Sequence, residues 1–286
     1  MRIIDQNAEL IQTTGDYKKD IEKAARVSYK SEHLITEGSA EKMFERLVKA
    51  GHTSCLEFGT IYLQVPIDVE VVTGYSGYAW NRILLHDGYW YITTNARHIQ
   101  EHSLWNDVEK YSCEPTKFHA VRKTLKLTTS RSTSHELVRH RVFSFCQESQ
   151  RYCCYSKDKF NGEITYIRPT WLDIPTGQYG YWDGVWFDHV AFKTLLKDAD
   201  KATPTNEFLW SLDTAELRYN AFIAQGWTPQ QARTVLPNAT KTELFMCGFE
   251  DDWKQFLKLR DSKTADPMMQ DLAKMIKRCL TPKTND

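Results

Sequence analysis

Residues 134–152 read SHELVRHRVFSFCQESQRY, a basic run followed by a short polar stretch. Thr133 and Glu136 match the T-x-x-E pattern in which side chains satisfy free backbone N–H groups at a helix start. We therefore predict that a helix begins near residue 134. Because each helical residue turns the chain by about 100°, Arg139 and Arg141 would lie on different sides of it and could contact two ligands.

Bulky apolar residues are interleaved with the charges of this segment, namely Val138, Val142, Phe143 and Phe145. Part of the segment should therefore be buried, and a buried arginine without an anionic partner is costly. Only Glu136 and Glu148 are close in sequence, so the pattern predicts a basic cluster that binds an anion. The alternative is a surface helix with solvated charges, which is the usual meaning of a short basic run.

Residues 147–151, Gln-Glu-Ser-Gln-Arg, have the polar character of a loop. Such a loop can surround an oxyanion with backbone N–H groups, a serine hydroxyl and a guanidinium group. A nucleotide phosphate would fit this combination. Composition and spacing alone thus predict a phosphorylated ligand and go no further.

The segments before this stretch contain helical and extended patterns. Apolar spacing predicts helices over 17–30 and 40–50, with Gly51 as a C-terminal cap of the second. A strand is predicted over 58–72, and the residue pair 87–88, Asp-Gly, predicts a hairpin turn.

Patterns elsewhere predict the rest of the fold. A strand is predicted over 119–130, just before this stretch. Helices are predicted over 206–225, 250–260 and 267–279, and a short one from Thr228 that must stop before Pro237. Helices around a few strands predict an α+β fold with a central sheet flanked by helices. We assign residues 1–280 to a single domain and 281–286 to a polar tail.

Composition restricts the possible partners. The 286 residues have a formal net charge of +0, so no global field attracts nucleic acid or a membrane surface, and an anionic ligand needs a local basic cluster. No apolar run reaches the roughly 20 residues of a membrane span, and the N-terminus lacks a signal peptide pattern. We expect a soluble, cytoplasmic protein that binds neither nucleic acid nor membranes.

Seven cysteines, an odd number in a long chain, predict free thiols. Their spacing contains no CxxC pair, which argues against a zinc site, and we predict no bound metal. Cys146 has the location of a candidate nucleophile, but a reactive thiol needs a positive, partly open environment. Cys153 and Cys154 are expected to pack in the interior.

The order Arg139-His140-Arg141, seven residues, Ser149 and then Arg151 resembles the signature of the flavin-dependent thymidylate synthases. Other segments resemble the family in the same order, namely residues 24–28 (AARVS), 51–57 (GHTSCLE), 232–237 (ARTVLP) and 256–260 (FLKLR). The resemblance therefore covers most of the chain.

The resemblance implies ligand contacts residue by residue. For FAD they are Ser28, His52, Ser54, Glu57, Arg139, His140, Arg141, Gln147 and Gln255. For dUMP they are Glu136, Arg139, Gln147, Glu148, Ser149, Gln150, Arg151, Arg233 and Arg260. Arg260 matches the arginine at the uracil ring that favours ionisation at nitrogen 3, and it is the implied catalytic residue.

The implied activity is reductive methylation of dUMP to dTMP without an enzyme nucleophile. Methylenetetrahydrofolate would donate the one-carbon unit, and FAD reduced by NADPH would donate the hydride. The resemblance also implies a homotetramer whose sites combine residues from different subunits. Ser149 would then be a ligand, since no base is identifiable to activate it.

The chain departs from the family pattern at several positions. Glu136 replaces a common glutamine, Gln255 replaces an asparagine, and Phe249, Asp251 and Thr264 replace residues that contact FAD in short members. Residues 66–118 and 170–205 are extra relative to those members. The FAD contacts near the C-terminus stay open.

Two other functions remain compatible with the sequence. A related flavoprotein that hydroxymethylates dUMP would have similar nucleotide and flavin sites. A non-catalytic nucleotide-binding or RNA-binding protein could use the same arginines.

Overall fold

The computed structural model describes residues 1–156 and 162–281; the tail predicted at 281–286 lies outside them except for Thr281. The helices are α1 (Tyr17–Val27), α2 (Ser39–Lys49), α3 (Ala96–Glu101), α4 (Trp105–Tyr111), α5 (Arg131–Leu137), α6 (Pro204–Ala224), α7 (Pro229–Ala232), α8 (Glu250–Arg260) and α9 (Pro267–Leu280). The strands are β1 (Arg2–Ile4), β2 (Asn7–Ile11), β3 (Thr60–Pro66), β4 (Arg82–His86), β5 (Tyr89–Asn95), β6 (Arg122–Ser130), β7 (Ser144–Gln147), β8 (Thr165–Ile167), β9 (Gly177–Trp182), β10 (Val185–Asp188), β11 (Lys193–Leu196) and β12 (Lys241–Phe249).

These strands form separate sheets within the described residues. The sheet that carries the site has the order β2-β6-β12-β7, and its pairings are antiparallel. A second has the order β11-β10-β9-β1-β8, and a third has β3-β5-β4. The α+β class is confirmed, but the strands are divided among several sheets rather than forming one central sheet.

Strand β12 is the centre of the site-bearing sheet. Every residue from Thr242 to Phe249 is buried, and the strand pairs with β6 along its whole length and with β7 at its middle. Helices α8 and α9 pack on this sheet through apolar side chains such as Trp253, Phe256 and Leu272. Helix α8 begins directly after β12, so this core determines where Arg260 lies.

Helix α1 ends at Val27 rather than at residue 30. Asp16 caps the start of this helix, because its side chain accepts from the N–H groups of Lys18 and Lys19. The chain leaves the helix because Lys30 has a positive φ of 50°. Helix α2 is confirmed, and Gly51, with φ of 68°, has the left-handed conformation of a helix-ending glycine.

Helix α5 begins at Arg131, so the predicted start near residue 134 is wrong. The Ser130 side chain accepts from the N–H of Thr133 and provides the cap. The Thr133 hydroxyl contacts the Ser130 hydroxyl at 2.9 Å, and Glu136 bonds to Arg260 instead of capping. The T-x-x-E pattern is present, but its side chains have other partners.

The predicted strand over 58–72 is observed only as β3, which ends at Pro66. Proline lacks an N–H and cannot continue a sheet ladder. The predicted hairpin is confirmed as β4 and β5, joined through Asp87 and Gly88 with positive φ values of 46° and 75°. The short helix after Thr228 is also confirmed, with Gln231 completing its capping box.

Residues 170–205 contain the β9-β10-β11 meander, which packs on α6. Trp186 is fully buried there, with its ring centroid 4.8 Å from that of Trp210. Among the helices of the described residues, none is long and apolar enough to cross a membrane.

Candidate active site

Arg139, His140 and Arg141 lie in the turns between α5 and β7 rather than on a helix. The His140 N–H donates to the Leu137 carbonyl, and the Phe143 N–H donates to the His140 carbonyl. These turns reverse the chain so that β7 can pair with β12. The prediction that Arg139 and Arg141 lie on a helix is therefore wrong. The two residues lie in the turns between α5 and β7 instead.

Arg139 and Arg141 are exposed, as are Val138 and Val142. Phe143 is buried, and its ring centroid lies 4.7 Å from that of Trp253. The expectation of a buried arginine cluster is wrong for this chain by itself, because the turn directs Phe143 inward and the arginines outward.

Arg260, at the end of α8, joins the basic run to Glu136. Its Nε donates to His140 Nε2 at 2.9 Å, and its Nη1 donates to a Glu136 carboxylate oxygen at 2.8 Å. Within residues 1–156 and 162–281, no hydrogen bond uses Nη2. Two of the three guanidinium nitrogens are therefore held by the protein, and the Nη2 donors can meet a ligand.

His140 is held in its neutral form. Burial, followed by the charges of Arg260 and Arg139, lowers its pKa to about 4. A neutral ring that accepts at Nε2 carries its proton on Nδ1. His140 therefore orients Arg260 without competing with it for an anion.

Gln147, the last residue of β7, faces α5. Its Nε2 donates to the Ser134 hydroxyl at 2.9 Å and to the Thr242 hydroxyl at 3.1 Å. These bonds link α5, β7 and β12 beside the Arg260 group. Gln147 thus has a fixed orientation in the candidate nucleotide site.

The segment after β7 connects the candidate nucleotide site to the end of α1. The Ser149 N–H donates to the Ser28 carbonyl at 3.1 Å. The Ser149 hydroxyl accepts from the N–H of Arg151 at 3.3 Å, and Arg151 Nε donates to Gln230 at 2.9 Å. Gln150 is half-buried beside them.

Glu148 has its carboxylate in the interior, with 2% of the residue exposed. It accepts from Lys241 Nζ at 2.9 Å, and the Tyr155 hydroxyl lies 3.4 Å away. Lys241 also pairs with Glu243, which pairs with Lys30. This buried ion network fixes the loop, and a dUMP contact by the Glu148 side chain stays a prediction.

Arg131 belongs to the same region, although the sequence reasoning did not select it. Burial lowers its pKa, and the charge of Arg233 lowers it further, while Tyr155 and Glu148 act in the opposite direction. Arg131 donates to the Thr242 hydroxyl at 3.4 Å, the same hydroxyl that Gln147 contacts. Its position directly after the strand predicted over 119–130 was the signal available in the sequence.

Several arginines of this region have no ion-pair partner. In the part of the chain that the structure describes, no carboxylate lies within 4 Å of Arg131, Arg139, Arg141, Arg151 or Arg233, whereas Arg260 has Glu136. The uncompensated positive charge is what an anionic ligand requires.

A cleft of about 560 Å³ lies next to this region, between α1, α2 and the 3-10 helix Thr53–Phe58. Ser28, His52 and Ser54, three of the residues implied to contact FAD, line it together with Arg46. Glu57 instead pairs with Arg97, its carboxylate 2.5 Å from Nη1. Ser28 connects the cleft to the segment after β7, because its carbonyl accepts from the Ser149 N–H.

The sequence model of the family described as Thymidylate synthase complementing protein matches residues 9–73 and 113–284. The chain belongs to this family. Among curated relatives, a flavin-dependent thymidylate synthase of Corynebacterium glutamicum is 32% identical over 145 residues, covering 50% of this chain and 51% of that protein. One of Mycobacterium marinum is 34% identical over 151 residues, with coverages of 50% and 51%. The chain thus spans about half the length of the curated relatives it matches.

A solved structure, a UMP/dUMP methylase PolB from Streptomyces cacaoi bound with 5-Br dUMP, aligns with 97% of this chain and 91% of that chain. The sequence identity is 17% and the TM-score is 0.44.

Two of the departures from short members of the family, Phe249 and Asp251, lie at the start of α8. Phe249 is buried, and the Arg82 guanidinium lies 4.2 Å from its ring centroid. Arg82 also pairs with Asp251 at 2.9 Å and with Asp252 at 3.0 Å. Phe249 and Asp251 therefore bind the β4-β5 hairpin, while Gln255 and Thr264 are exposed.

Proposed function

We propose that this protein reductively methylates dUMP to dTMP, with methylenetetrahydrofolate as one-carbon donor and NADPH-reduced FAD as hydride source. The observation that carries the proposal is the group of arginines without carboxylate partners beside Gln147, Ser149 and the Arg260 pair. Membership of the family and the curated relatives support this activity.

The nucleotide would bind between α5, the end of β7 and α7. Arg131, Arg151 and Arg233 would supply positive charge for a phosphate dianion, and guanidinium groups suit its oxygens. Gln147 and the Ser149 segment would contact the rest of the nucleotide. Arg131 is an addition to the residues that the sequence predicted.

Arg260 would act at the pyrimidine. Its Nη2 donors face no protein partner among the described residues, while Nε bonds to His140 and Nη1 bonds to Glu136. A prepositioned cation stabilises negative charge that develops on the ring during methylation. Glu136 would hold Arg260 through Nη1, so that Nη2 would face the uracil ring.

The cleft of about 560 Å³ between α1, α2 and the 3-10 helix, the flavin-side cleft, has side chains that suit FAD. Ser28, His52 and Ser54 offer polar groups, Met43 and Leu47 offer apolar surface, and Arg46 offers a cation without a carboxylate within 4 Å in the described residues. Ligand sites usually combine such surfaces. When bound, FAD supplies hydride transfer, and the protein supplies binding and orientation.

A protein nucleophile is not part of this proposal. Successive side chains of a strand point to opposite faces, and Gln147 faces Ser134 and Thr242. Cys146 accordingly faces the other way, toward Ser28 and Cys55, and is 5% exposed. Its sulfur is on the wrong face to attack a nucleotide held by Gln147.

The test is the absorbance spectrum of the protein after incubation with FAD and removal of the unbound cofactor. We expect a retained flavin band in the visible blue that changes when dUMP is added. A protein that retains no flavin, or whose flavin does not respond to dUMP, would contradict the proposal and favour a non-catalytic nucleotide-binding role.

Mass analysis of the reaction product separates the remaining enzymatic alternative. dTMP supports methylation, whereas a hydroxymethylated nucleotide supports the related flavoprotein activity. A homotetramer and a cytoplasmic location stay predictions, and light scattering would test the first by giving four times the mass of one chain.

A further inference from the structure

Cys55 and Cys146 lie in contact although they are 91 residues apart in sequence, with their sulfur atoms separated by 3.5 Å. Cys55 belongs to the 3-10 helix Thr53–Phe58, and Cys146 belongs to β7. Phe58 and Phe245 pack around them. The packing holds two free thiols side by side at the flavin-side cleft.

The two thiols differ in access to solvent. Cys55 is half-buried and lines the 560 Å³ cleft together with Ser28, His52 and Ser54. Cys146 is buried behind it. A small solute in the cleft therefore meets Cys55 first, while larger reagents are kept from Cys146.

Their hydrogen bonds make the pair chemically unequal. The thiol of Cys55 lowers the pKa of Cys146; burial opposes this effect, and the Ser28 hydroxyl, 3.1 Å from the sulfur, supports it. The same contact with Cys146, together with burial, raises the pKa of Cys55. Cys146 is thus the better nucleophile of the two, and its thiolate accepts a hydrogen bond from the Cys55 thiol.

We propose that Cys55 and Cys146 are a redox pair that hydrogen peroxide converts to a reversible disulfide. In the first step the Cys146 thiolate attacks peroxide, the O–O bond breaks, and Cys146 sulfenic acid and hydroxide are formed. In the second step the Cys55 sulfur attacks the Cys146 sulfur, the S–O bond breaks and an S–S bond forms, and the Cys55 proton leaves with the departing oxygen as water. Two thiols and one peroxide thus give one disulfide and two waters, and a dithiol reverses the reaction.

A disulfide between Cys55 and Cys146 would alter the flavin-side cleft. Its effect on FAD binding rests on the proposed function. A disulfide needs a sulfur separation of about 2.05 Å, so the two sulfur atoms must move closer together than the 3.5 Å observed. The Cys146 contact with Ser28 would change, and Ser54 is adjacent to Cys55. We expect oxidation to weaken FAD binding several-fold.

The first experiment treats the full-length protein with hydrogen peroxide and analyses non-reduced peptides by mass spectrometry. We compare the wild type with Cys55→Ser and Cys146→Ser, and use Cys113→Ser as the matched control, because Cys113 is half-buried next to His119. The expected result is a peptide cross-linked between residues 55 and 146 in the wild type and the control, lost with dithiothreitol and absent from both pair variants.

Absence of this cross-link in peroxide-treated wild type, or oxidation of Cys55 to sulfinic acid with Cys146 left as a thiol, would overturn the proposal. Cys146→Ala repeats the test if the serine variant does not fold.

The second experiment measures the FAD dissociation constant before and after oxidation. We expect several-fold weaker binding in oxidised wild type, recovery with dithiothreitol, and no change in Cys146→Ser. A cross-link without any effect on FAD would contradict the link to the cleft. Reduced protein that never binds FAD would instead contradict the proposed function and leave the disulfide standing.

Discussion

Arg260 is the residue on which the proposed chemistry depends. Two of its nitrogens are bonded to His140 and Glu136, side chains more than 100 positions away in sequence. The motif identified Arg260 and His140 as site residues, but only the tertiary structure shows that they bond to each other. Side-chain partners at such separations depend on how the core packs, which a local pattern does not contain.

Replacing Arg260 with alanine should abolish most of the turnover while FAD binding stays close to that of the wild type. Removal of one prepositioned donor from such a site costs roughly 10²–10³-fold in rate. The measurement is kcat for dTMP formation beside the FAD dissociation constant. The control is Lys258→Ala, because Lys258 is an exposed cation on the same helix; normal turnover in Arg260→Ala would refute the role.

His140 should make the protein less stable as the pH falls from 6.5 toward 4. Its folded-state pKa is about 4, below the ordinary value of 6.5, so in this window the unfolded chain binds a proton that the folded chain does not. The free energy of unfolding contributed by this group is therefore full above pH 6.5 and is lost toward pH 4.

Urea unfolding of the wild type and His140→Asn at pH 7 and pH 4.5 measures this effect. The wild type should lose more stability between the two pH values than the variant. His98 and His119 also have lowered pKa values, but they contribute equally to both proteins. Exposed His135→Asn is the control, and equal losses in wild type and His140→Asn would disprove the assignment.

At the scale of elements, the sequence predicted most helices and missed the central strand. β12 is buried on both faces, and a continuous apolar run lacks the alternation that distinguishes a strand from a buried helix. The loop character of residues 147–151 was predicted, but the strand β7, which ends at Gln147, was not. Strand pairing is decided by partners such as β6, which is distant in sequence.

The ion network under residues 147–151 should contribute strongly to stability. Lys241→Met would leave the buried carboxylate of Glu148 without its lysine, and such a loss costs about 3–5 kcal/mol. Exposed Lys201 pairs with Asp198 at 3.2 Å, and Lys201→Met should cost less than about 1 kcal/mol. Urea denaturation compares the two; similar costs would show that the buried network does not hold the loop.

The close contact between β12 and the turns that connect α5 to β7 requires glycine at position 248. A Cβ atom there would overlap with Cδ1 of Phe143. Gly248→Ala should therefore destabilise the protein by about 1–3 kcal/mol, as overpacking does. Urea denaturation of the variant beside the wild type measures this loss.

The double variant Gly248→Ala with Phe143→Leu separates this contact from a backbone effect. The smaller side chain should remove part of the cost, so the two changes should not be additive. Additive unfolding free energies would contradict a steric origin.

At the scale of the whole molecule, the family match is interrupted between residues 73 and 113. That region contains β4 and β5, and Arg82 of β4 binds the start of α8 through Asp251 and Asp252. The helix that ends at Arg260 is therefore fixed at its beginning by this hairpin. The sequence indicated the departures at Phe249 and Asp251, but their partner Arg82 was visible only in the structure.

The most direct test of the central claim is dTMP formation from dUMP, methylenetetrahydrofolate, NADPH and FAD, with each component omitted in turn. The account predicts dTMP in the complete mixture and none when any one component is missing. Formation of dTMP after FAD is stripped and withheld, or no dTMP from the complete mixture with a protein that binds FAD and dUMP, would contradict it.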